Sequence, residues 1–386
     1  MLRSLFSGIS GLRSHQTMLD VTGNNIANVN TVGFKSSSTQ FQDSLSQLVQ
    51  NSTFPRADAG GTNPAQVGLG VQLAAIRTNF SAGAAQPTGV PTDLMIAGDG
   101  FFAVRSGAET LYTRNGSFSF DTSGRLTSAD GALVQGWTAR NGVITTGQGL
   151  GDITLPVGAI APAVATTTTT ATGNLPSETA VGEALVRDIE VYGADGTSAT
   201  LQLTFTRTAT GWDVTDGSGA STSLAFANGT QAGPSSLVSG GITVDLSAVT
   251  GYAEVSSLAL TSQNGRPAGS LISYALTEDG SLMGTFSNGE TEVLARLALA
   301  NFTNPGGLEK TGSSQYRPSA NSGAPTIGQA GENGLGGIMS GVLEMSNVDL
   351  SQEFTNLIVA QRGFQANARI ITTSDEVLQE LTNLKR

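Results

Sequence analysis

Apolar side chains recur in alternating steps of four and three residues at both ends of the chain. At the C-terminal end the stripe consists of Leu350, Phe354, Leu357, Phe364, Ala368, Ile371 and Leu378, with Gln361 in the same register. At the N-terminal end it consists of Leu5, Ile9, Leu12, Leu19 and Ile26, with Gln16 and Gly23 in register. This spacing places side chains along one narrow face of an α-helix and is typical of a coiled coil. We therefore expect a helix at each end, and we expect the two apolar stripes, together called the seam, to meet.

The boundaries of both helices are indicated by residues that begin or end helices. Asp349 is placed to cap the C-terminal helix, with Gln352 as its capping-box partner, and no proline follows it. We expect one helix of roughly 35 residues there. The N-terminal helix is expected from about Leu2 to Asn28, where an asparagine-rich run and Gly33 favour a turn.

Between the helices the pattern changes to short alternating runs separated by glycine turns. Residues 67–140 and 267–341 contain such runs, with the Asp-Gly and Asn-Gly pairs that are typical of β-hairpins. These two segments predict one inner β domain. Residues 141–266 interrupt it and predict an outer β domain with its own strands.

The remaining segments complete the predicted architecture. Residues 37–66 are polar and contain prolines, so we expect an extended connector there. Residues 1–36 and 342–386 are expected to form the helical domain. The predicted fold class is multidomain, with a terminal α-helical coiled coil and two mainly-β domains inserted between its helices.

The composition excludes several classes of function. Charged residues make up 13% of the chain, and its net charge of -11 argues against a nucleic-acid partner, because phosphate binding needs clustered Lys and Arg. The chain has no cysteine, and His15 is its only histidine, so disulfides, thiolate metal sites and nearly all histidine-based catalysis are excluded. No run of 18 apolar residues occurs, so no membrane span is predicted. We expect no cofactor, no metal and no enzymatic activity.

Each end of the chain also carries a short motif next to its predicted helix. The N-terminal motif comprises Asn24, Asn25, Ile26, Ala27, Asn28, Gly33, Phe34 and Lys35. The C-terminal motif comprises Ser346, Asn347, Val348 and Asp349, followed by Gln361 and Arg362. Together and in this order, the two motifs resemble the terminal signatures of flagellar rod and hook proteins. The aromatic residue that follows the Gln-Arg pair in that family is displaced here by Gly363 and returns at Phe364.

The resemblance implies a structural subunit that polymerises with copies of itself into the flagellar hook. This curved, flexible tube transmits torque from the rod to the filament. The resemblance also implies contacts with the distal rod protein, the hook cap and the hook–filament junction proteins. Family members are exported unfolded by the flagellar type III apparatus. We therefore expect an extracellular protein of the hook and basal body without a cleaved signal peptide.

Two other functions are compatible with part of the pattern. A distal rod protein of the same family would share the terminal motifs and would lack the insertion at 141–266, whose hairpin ending in Trp212 resembles the middle domain of hook proteins. A secreted β-rich adhesin or carbohydrate-active protein would need two facing carboxylates near sugar-stacking aromatic residues. The aspartates of this chain lie mostly in predicted turns.

Overall fold

The structure, a computed structural model, describes residues 2–54, 60–140, 142–145, 147, 149–156, 158 and 160–383. The chain divides into two compact units. The first unit contains Met1–Leu155, Ala275–Met283 and Val293–Arg386, and the second contains Pro156–Tyr274 and Gly284–Glu292. The chain therefore begins in the first unit, builds the second, and ends in the first.

Both ends of the chain form long α-helices, as the apolar spacing predicts. Helix α1 spans Leu2–Ala27, helix α2 spans Leu350–Asn383, and mostly β structure lies between them. Residues 384–386, which the sequence assigns to the same C-terminal helix, lie outside the described residues.

The predicted cap of α2 is confirmed at its first turn. The amides of Ser351 and Gln352 donate hydrogen bonds to the Asp349 carboxylate at 2.8 and 3.2 Å. The predicted capping box is wrong in its second half, because the Gln352 side chain donates to the Asn356 side chain instead. A carboxylate at this position also interacts favourably with the positive end of the helix dipole.

Short strands fill the rest of the chain. Before the second unit they are β1 (Ser37–Asp43), β2 (Ser46–Gln50), β3 (Ala65–Gly68), β4 (Val71–Thr78), β5 (Ala85–Pro87), β6 (Leu94–Ala97), β7 (Phe101–Ser106), β8 (Glu109–Thr113), β9 (Phe118–Phe120), β10 (Leu126–Ser128), β11 (Leu133–Thr138) and β12 (Gly151–Asp152). In the second unit they are β13 (Ile160–Ala161), β14 (Thr168–Asn174), β15 (Ala184–Tyr192), β16 (Ser198–Arg207), β17 (Gly211–Asp216), β18 (Ser221–Ala227), β19 (Thr230–Gln231), β20 (Ser236–Ser239), β21 (Ile242–Thr250) and β22 (Ala259–Gln263).

Three strands carry the chain back to the first unit, and six more complete it. The three are β23 (Gly269–Leu276), β24 (Ser281–Phe286) and β25 (Thr291–Leu297). The six are β26 (Leu299–Asn301), β27 (Glu309–Gly312), β28 (Gln315–Arg317), β29 (Thr326–Gly328), β30 (Gly337–Ser340) and β31 (Val342–Glu344), with a 3₁₀ turn at Pro305–Gly307.

The sheet of the first unit joins strands from both halves of the chain. Its order includes β25–β11–β7–β8–β28–β27, with antiparallel pairings throughout. Alternate residues of β7 face one core, where Phe101 and Ala103 pack with Tyr112, Phe302 and Tyr316. The Phe101 ring lies edge-on to the rings of Phe302 and Tyr316, with centroids 5.8 and 5.9 Å apart, a favourable aromatic geometry.

The C-terminal strands return to strands near the beginning of the unit. β30 pairs antiparallel with β6, and β31 pairs antiparallel with β5. β31 ends at Glu344, a few residues before α2 begins. These two pairings fix where α2 starts in the first unit.

Within the segment 37–66, expected to be an extended connector, residues 37–43, 46–50 and 65–66 lie in strands. β1 pairs with β4 from Ser37↔Thr78 to Asp43↔Val71, and β2 pairs with β3 beyond them. We call these four strands, together with the described residues between them, the arm. The polar sequence gives little sign of this pairing, because most partners of residues 37–50 lie beyond residue 66, in the segment 67–78.

The second unit has two sheets and a core of its own. One sheet has the order β20–β21–β14–β22 and the other β15–β16–β17–β18–β19. Their buried side chains form one cluster that includes Leu203, Phe205, Trp212, Val214 and Val244. Burial of this cluster gives the unit a hydrophobic core.

The boundary between the units differs from the predicted insertion at 141–266. Pairing of β12 with β11 keeps residues as far as Leu155 in the first unit. On the return, β23, β24 and β25 each have residues in both units. Turn signals could not locate this boundary, because it falls within strands.

The stability of the second unit should depend on pH through Asp216 at the end of β17. Hydrogen bonds from the hydroxyls of Ser218 and Ser239 lower the pKa of the Asp216 carboxyl from 3.8 to about 2. The folded state thus favours the carboxylate. Its stabilisation is complete above the unfolded pKa of 3.8 and is lost as the pH falls towards about 2.

We expect Asp216→Asn to lower the thermal midpoint of the second unit at neutral pH, and the difference from the parent to disappear near pH 2. Trp212 fluorescence in a Trp137→Phe background measures this unit. Asp213→Asn is the control, because Asp213 on the same strand accepts one side-chain hydrogen bond, from Ser223. A difference between Asp216→Asn and the parent that persists unchanged at the lowest pH would contradict the assignment.

Candidate self-assembly surface

Helices α1 and α2 pack against each other in antiparallel orientation through small residues. A Cβ atom placed on Gly8 would lie 3.4 Å from side-chain atoms of Ile370 and Ile371. One placed on Gly363 would lie 2.5 Å from the ring of His15. Gly363 therefore leaves room for the His15 ring that a larger side chain would take, whereas the distances at Gly8 are those of ordinary van der Waals contact.

On α1, the predicted seam residues lie next to the residues that contact α2, not among them. Gly8 and Gly11 each precede by one residue the predicted seam residues Ile9 and Leu12. All five apolar seam residues of α1 are half-buried, namely Leu5, Ile9, Leu12, Leu19 and Ile26. Apolar spacing could not locate the contact, because glycine contributes no side chain to the pattern.

On α2 the predicted seam is divided between partly buried and exposed positions. The half-buried members are Leu357, Phe364, Ala368, Ile371 and Leu378. Leu350 and Phe354, at the first turns, are 40% and 52% exposed. The exposed members leave apolar surface uncovered in the single chain.

Asn25 of the N-terminal motif joins three elements. Its side chain is fully buried. The amide nitrogen donates to the Ser37 carbonyl at 2.7 Å and to the Glu353 carboxylate at 3.0 Å, while the amide oxygen accepts from the Ser37 backbone at 3.0 Å. The end of α1, the start of β1 and the start of α2 are thus fixed to one another.

Gly33 and Phe34 shape the exit from α1. Gly33 has a φ of +67°, and a Cβ atom there would lie 2.6 Å from the backbone nitrogen of Asn115. Its own amide donates to the Glu344 carbonyl at 2.8 Å. The Lys310 ammonium lies 5.3 Å from the centre of the Phe34 ring, a cation–π contact.

Lys35 is the buried charge of the N-terminal motif. Its ammonium donates to the Glu344 carboxylate at 2.6 Å and to the Ser81 carbonyl at 2.7 Å, and both charged side chains are 0% exposed. Burial lowers the pKa of Lys35, and the carboxylate of Glu344 opposes that shift. The nearby Glu344 carboxylate therefore favours the charged form of this buried lysine.

Arg114 is a second cation facing the same carboxylate. Its Nη1 atom lies 3.6 Å from Oε2 of Glu344, and its side chain is 2% exposed. Burial lowers the pKa of Arg114, while Glu344 opposes that shift. We call Lys35, Arg114 and Glu344 the ion cluster. Sequence reasoning missed Arg114 and Glu344, because nothing in the local pattern shows that a charged residue is buried.

The C-terminal motif holds the other side of this junction. The Asn347 side chain accepts a hydrogen bond from the Ser36 backbone at 2.8 Å and donates to the Asn79 carbonyl at 2.9 Å. Asp349 caps α2 directly afterwards. These residues lock the chain before α2 to the chain after α1.

The remaining motif residues either make hydrogen bonds near the end of α1 or lie at partly or fully exposed positions. Asn28 donates back to the Asn24 carbonyl within the last turn of α1, at 2.9 Å. Ser346 and Val348 are half-buried, as is Ile26, and Ala27 is exposed. Gln361 and Arg362 are exposed on α2.

The helices and the arm both leave large apolar side chains in water. On the helices these are Phe6, Leu350, Phe354, Ile358, Val359, Ile370, Val377 and Leu381. On the arm they are Phe41, Leu45, Leu48, Val49, Phe54, Val67, Leu69, Val71, Leu73 and Ile76, with Phe54 91% exposed. We call these residues the apolar surface; such an extent of exposed apolar side chains marks an interaction site.

The described part of the chain contains neither a metal-binding cluster nor a membrane-crossing helix. No group of three or more His, Asp or Glu side chains there is arranged to hold a metal ion. No described helix is both long and apolar enough to cross a membrane.

Three family descriptions match different parts of the sequence. Residues 5–35 match the flagella basal body rod protein family, and residues 339–384 match the C-terminal region of flagellar basal body rod FlgEFG proteins. Residues 95–174 match the D1 domain of flagellar hook proteins FlgE/F/G. The first two matches contain the terminal motifs and most of both helices.

Similar proteins match the chain from end to end. The flagellar hook protein FlgE of Borreliella burgdorferi is 38% identical over 442 aligned residues, with 100% of both chains covered. The flagellar basal-body rod protein FlgG of Bacillus subtilis is 36% identical, again with 100% of both chains covered. The crystal structure of the Helicobacter pylori hook protein FlgE2 has a similar fold, with a TM-score of 0.51, 15% identity and 67% of this chain covered.

The glycine contact between the helices can be tested by paired substitutions. In Gly363→Val the new side chain must displace the His15 ring, so we expect the helix pair to lose about 1–3 kcal/mol. Gly23→Val is the matched control, because no atom lies within 4 Å of a Cβ at that position. Urea unfolding followed by far-UV circular dichroism reports both. Equal midpoints for the two variants would show that the helices do not rely on this close approach.

Proposed function

This chain belongs to the flagellar hook protein FlgE family, and from that premise we propose that it polymerises into the curved, flexible tube of the bacterial flagellar hook. The tube acts as a universal joint that transmits torque from rod to filament. The subunit is then a structural component of the extracellular flagellum. Its terminal helices and arm are the main surfaces between copies.

The observation that carries this proposal is the apolar surface on the helices and the arm. Each exposed side chain of this size is stabilised by roughly 1.5–3 kcal/mol when it is fully removed from water. With only 13% charged residues, the chain has few ion pairs to offer to neighbours. Copies of the same chain, which carry the same apolar stripes, are the partners that fit.

We further propose that α1 and α2 form part of a coiled coil in the assembled tube. The four-three spacing of the seam supports this, because all twelve of its apolar residues remain at least partly exposed after α1 meets α2. The glycine contact would hold the two helices of one chain together. The seam would then face helices of neighbouring copies.

The other partners follow from the family. The ends of such a tube would contact the distal rod protein, the hook cap and the hook–filament junction proteins. The chain would reach the outside through the flagellar export apparatus. A structural role also supports the expectation that the protein is not an enzyme.

A distal rod protein is the second candidate, favoured by the likeness to the rod protein of Bacillus subtilis. The second unit argues for the hook, since its hairpin resembles the middle domain of hook proteins. Curvature of the purified polymer distinguishes the two, because a rod would form straight tubes and a hook curved ones.

Polymerisation should depend on apolar residues that the single chain leaves exposed. We expect Phe354→Asp combined with Ile358→Asp to abolish pelletable polymer, because burying each unpaired charge in an apolar contact costs several kcal/mol. Both side chains are at least half exposed, at 52% and 50%, so thermal unfolding of the β units should barely change.

Thr355→Asp is the control, since Thr355 is an exposed polar residue of the same helix turn. Sedimentation of matched protein concentrations measures the polymer. Polymer yield from the double variant that equals that of the parent would rule out this face of α2 as an assembly contact.

The second unit should set curvature rather than adhesion. In the family the middle domain lies outside, where a small displacement between copies changes curvature most. We expect a variant in which a short Gly-Ser bridge replaces residues 156–274 to form tubes that are straighter than those of the parent. Electron microscopy at matched pH and salt measures tube curvature. Loss of polymer with a folded first unit would instead assign adhesion to the second unit.

A further inference from the structure

Two cations and one carboxylate meet inside the first unit. Lys35, Arg114 and Glu344 are 0%, 2% and 0% exposed, respectively. Glu344 is the anion within salt-bridge distance of both cations among the described residues. Burying an ion without its counterion is strongly unfavourable, whereas burying the group of three partly balances the charge.

The three residues are far apart along the chain. Lys35 and Glu344 are separated by 309 positions. Arg114 directly follows β8, in the first third of the sequence. A chain that contains both cations therefore lacks the carboxylate that lies within salt-bridge distance of them until its last strands take part; Asp99, which also favours the charged form of Arg114, forms no salt bridge with it.

The segment that supplies the carboxylate also completes the strands. Glu344 accepts hydrogen bonds from the amide of Gly83 at 2.9 Å, through its side chain, and from the amide of Gly33 at 2.8 Å, through its carbonyl. It is the last residue of β31, which pairs with β5 while β30 pairs with β6. The same segment therefore neutralises the two cations and completes the strand pairing.

We propose that Glu344 is a folding latch, which lets the first unit close only when β30 and β31 bring its carboxylate to Lys35 and Arg114. Before that step β7 and β8 stay open, because closing them would bury Arg114 beside Phe101, whose ring it covers at 5.3 Å, without a carboxylate within salt-bridge distance. Because its buried cations need this carboxylate, the first unit folds after the second. This inference concerns one chain and does not depend on polymerisation.

The second unit provides an internal comparison. Its hydrophobic cluster, which includes Trp212 and Phe205, contains no buried ion pair among the described residues. Its ion pair between Arg266 and Glu290 is partly exposed, at 40% and 27%. The latch therefore predicts that the second unit folds independently of Glu344.

The order of folding can be measured on the full chain by pulse-labelling hydrogen exchange during refolding. We expect amides of β7 and β8 to become protected in the same kinetic phase as those of β30 and β31. β7 and β8 pair with each other and not with β30 or β31, so this coincidence is not imposed by shared hydrogen bonds. Protection of β7 and β8 in an earlier phase would overturn the latch.

Two full-chain variants separate charge from strand pairing. Glu344→Gln keeps the shape of the side chain, and we expect it to lose the cooperative melting transition of the first unit while that of the second unit is unchanged. Combining it with Lys35→Met and Arg114→Met removes the two cations that have lost their counterion, and we expect the transition of the first unit to return. A single variant that melts like the parent would show that the carboxylate charge is not needed, and a combined variant without the transition would show that charge is not the cause. Glu290→Gln, which removes the partly exposed pair of the second unit, is the control and should leave both transitions in place.

Discussion

The Glu344 carboxylate is the interaction on which the arrangement of the first unit depends. It neutralises Lys35, which follows α1, and faces Arg114, which follows β8. Because the side chains are buried, none of the three can be satisfied by water, and each element must stay where the others place it. The exit of α1, the edge strands β5 and β6 and the start of α2 are fixed by one group of charges.

Around this polar junction some polar side chains are buried and some large apolar side chains are exposed, which is the reverse of their usual distribution. Asn25 is fully buried, Asn347 is half-buried, and hydrogen bonds hold both ends of each amide. The helices meet through glycine at positions 8 and 363, while Phe354 and Phe54 point towards water. Buried polar networks fix a unique geometry when every member is paired. In this chain the polar groups where the ends join are bonded within one molecule, whereas the apolar side chains of the helices and the arm remain exposed.

The sequence predicted what is encoded locally. The two helices, the Asp349 cap and the Asp279-Gly280 turn follow from spacing, capping and turn chemistry. What it missed depends on residues distant in sequence. The pairing of 37–50 with 65–78, the burial of Arg114 and Glu344, and the contact of Gly363 with His15 all need a partner that no local window contains. Thr168, Thr169 and Thr170 begin β14 in the interior of a sheet, because β-branched side chains suit a pleated strand between two neighbours.

The terminal motifs divide into two groups once their contacts are known. Asn25, Lys35 and Asn347 each bind groups of the same chain, and their chemistry is explained by the junction. Gln361 and Arg362 lie exposed on α2, with no side-chain hydrogen bond or ion pair to other described residues. The fold of the single chain therefore gives no reason for those two residue types at those positions. In the polymer that we propose, an exposed arginine and an exposed amide on the helix that also carries Phe354 would fix the register of an otherwise apolar contact. Charged and polar groups at such contacts contribute more to specificity than to affinity, so the apolar residues would supply adhesion and this pair would determine how neighbouring helices align.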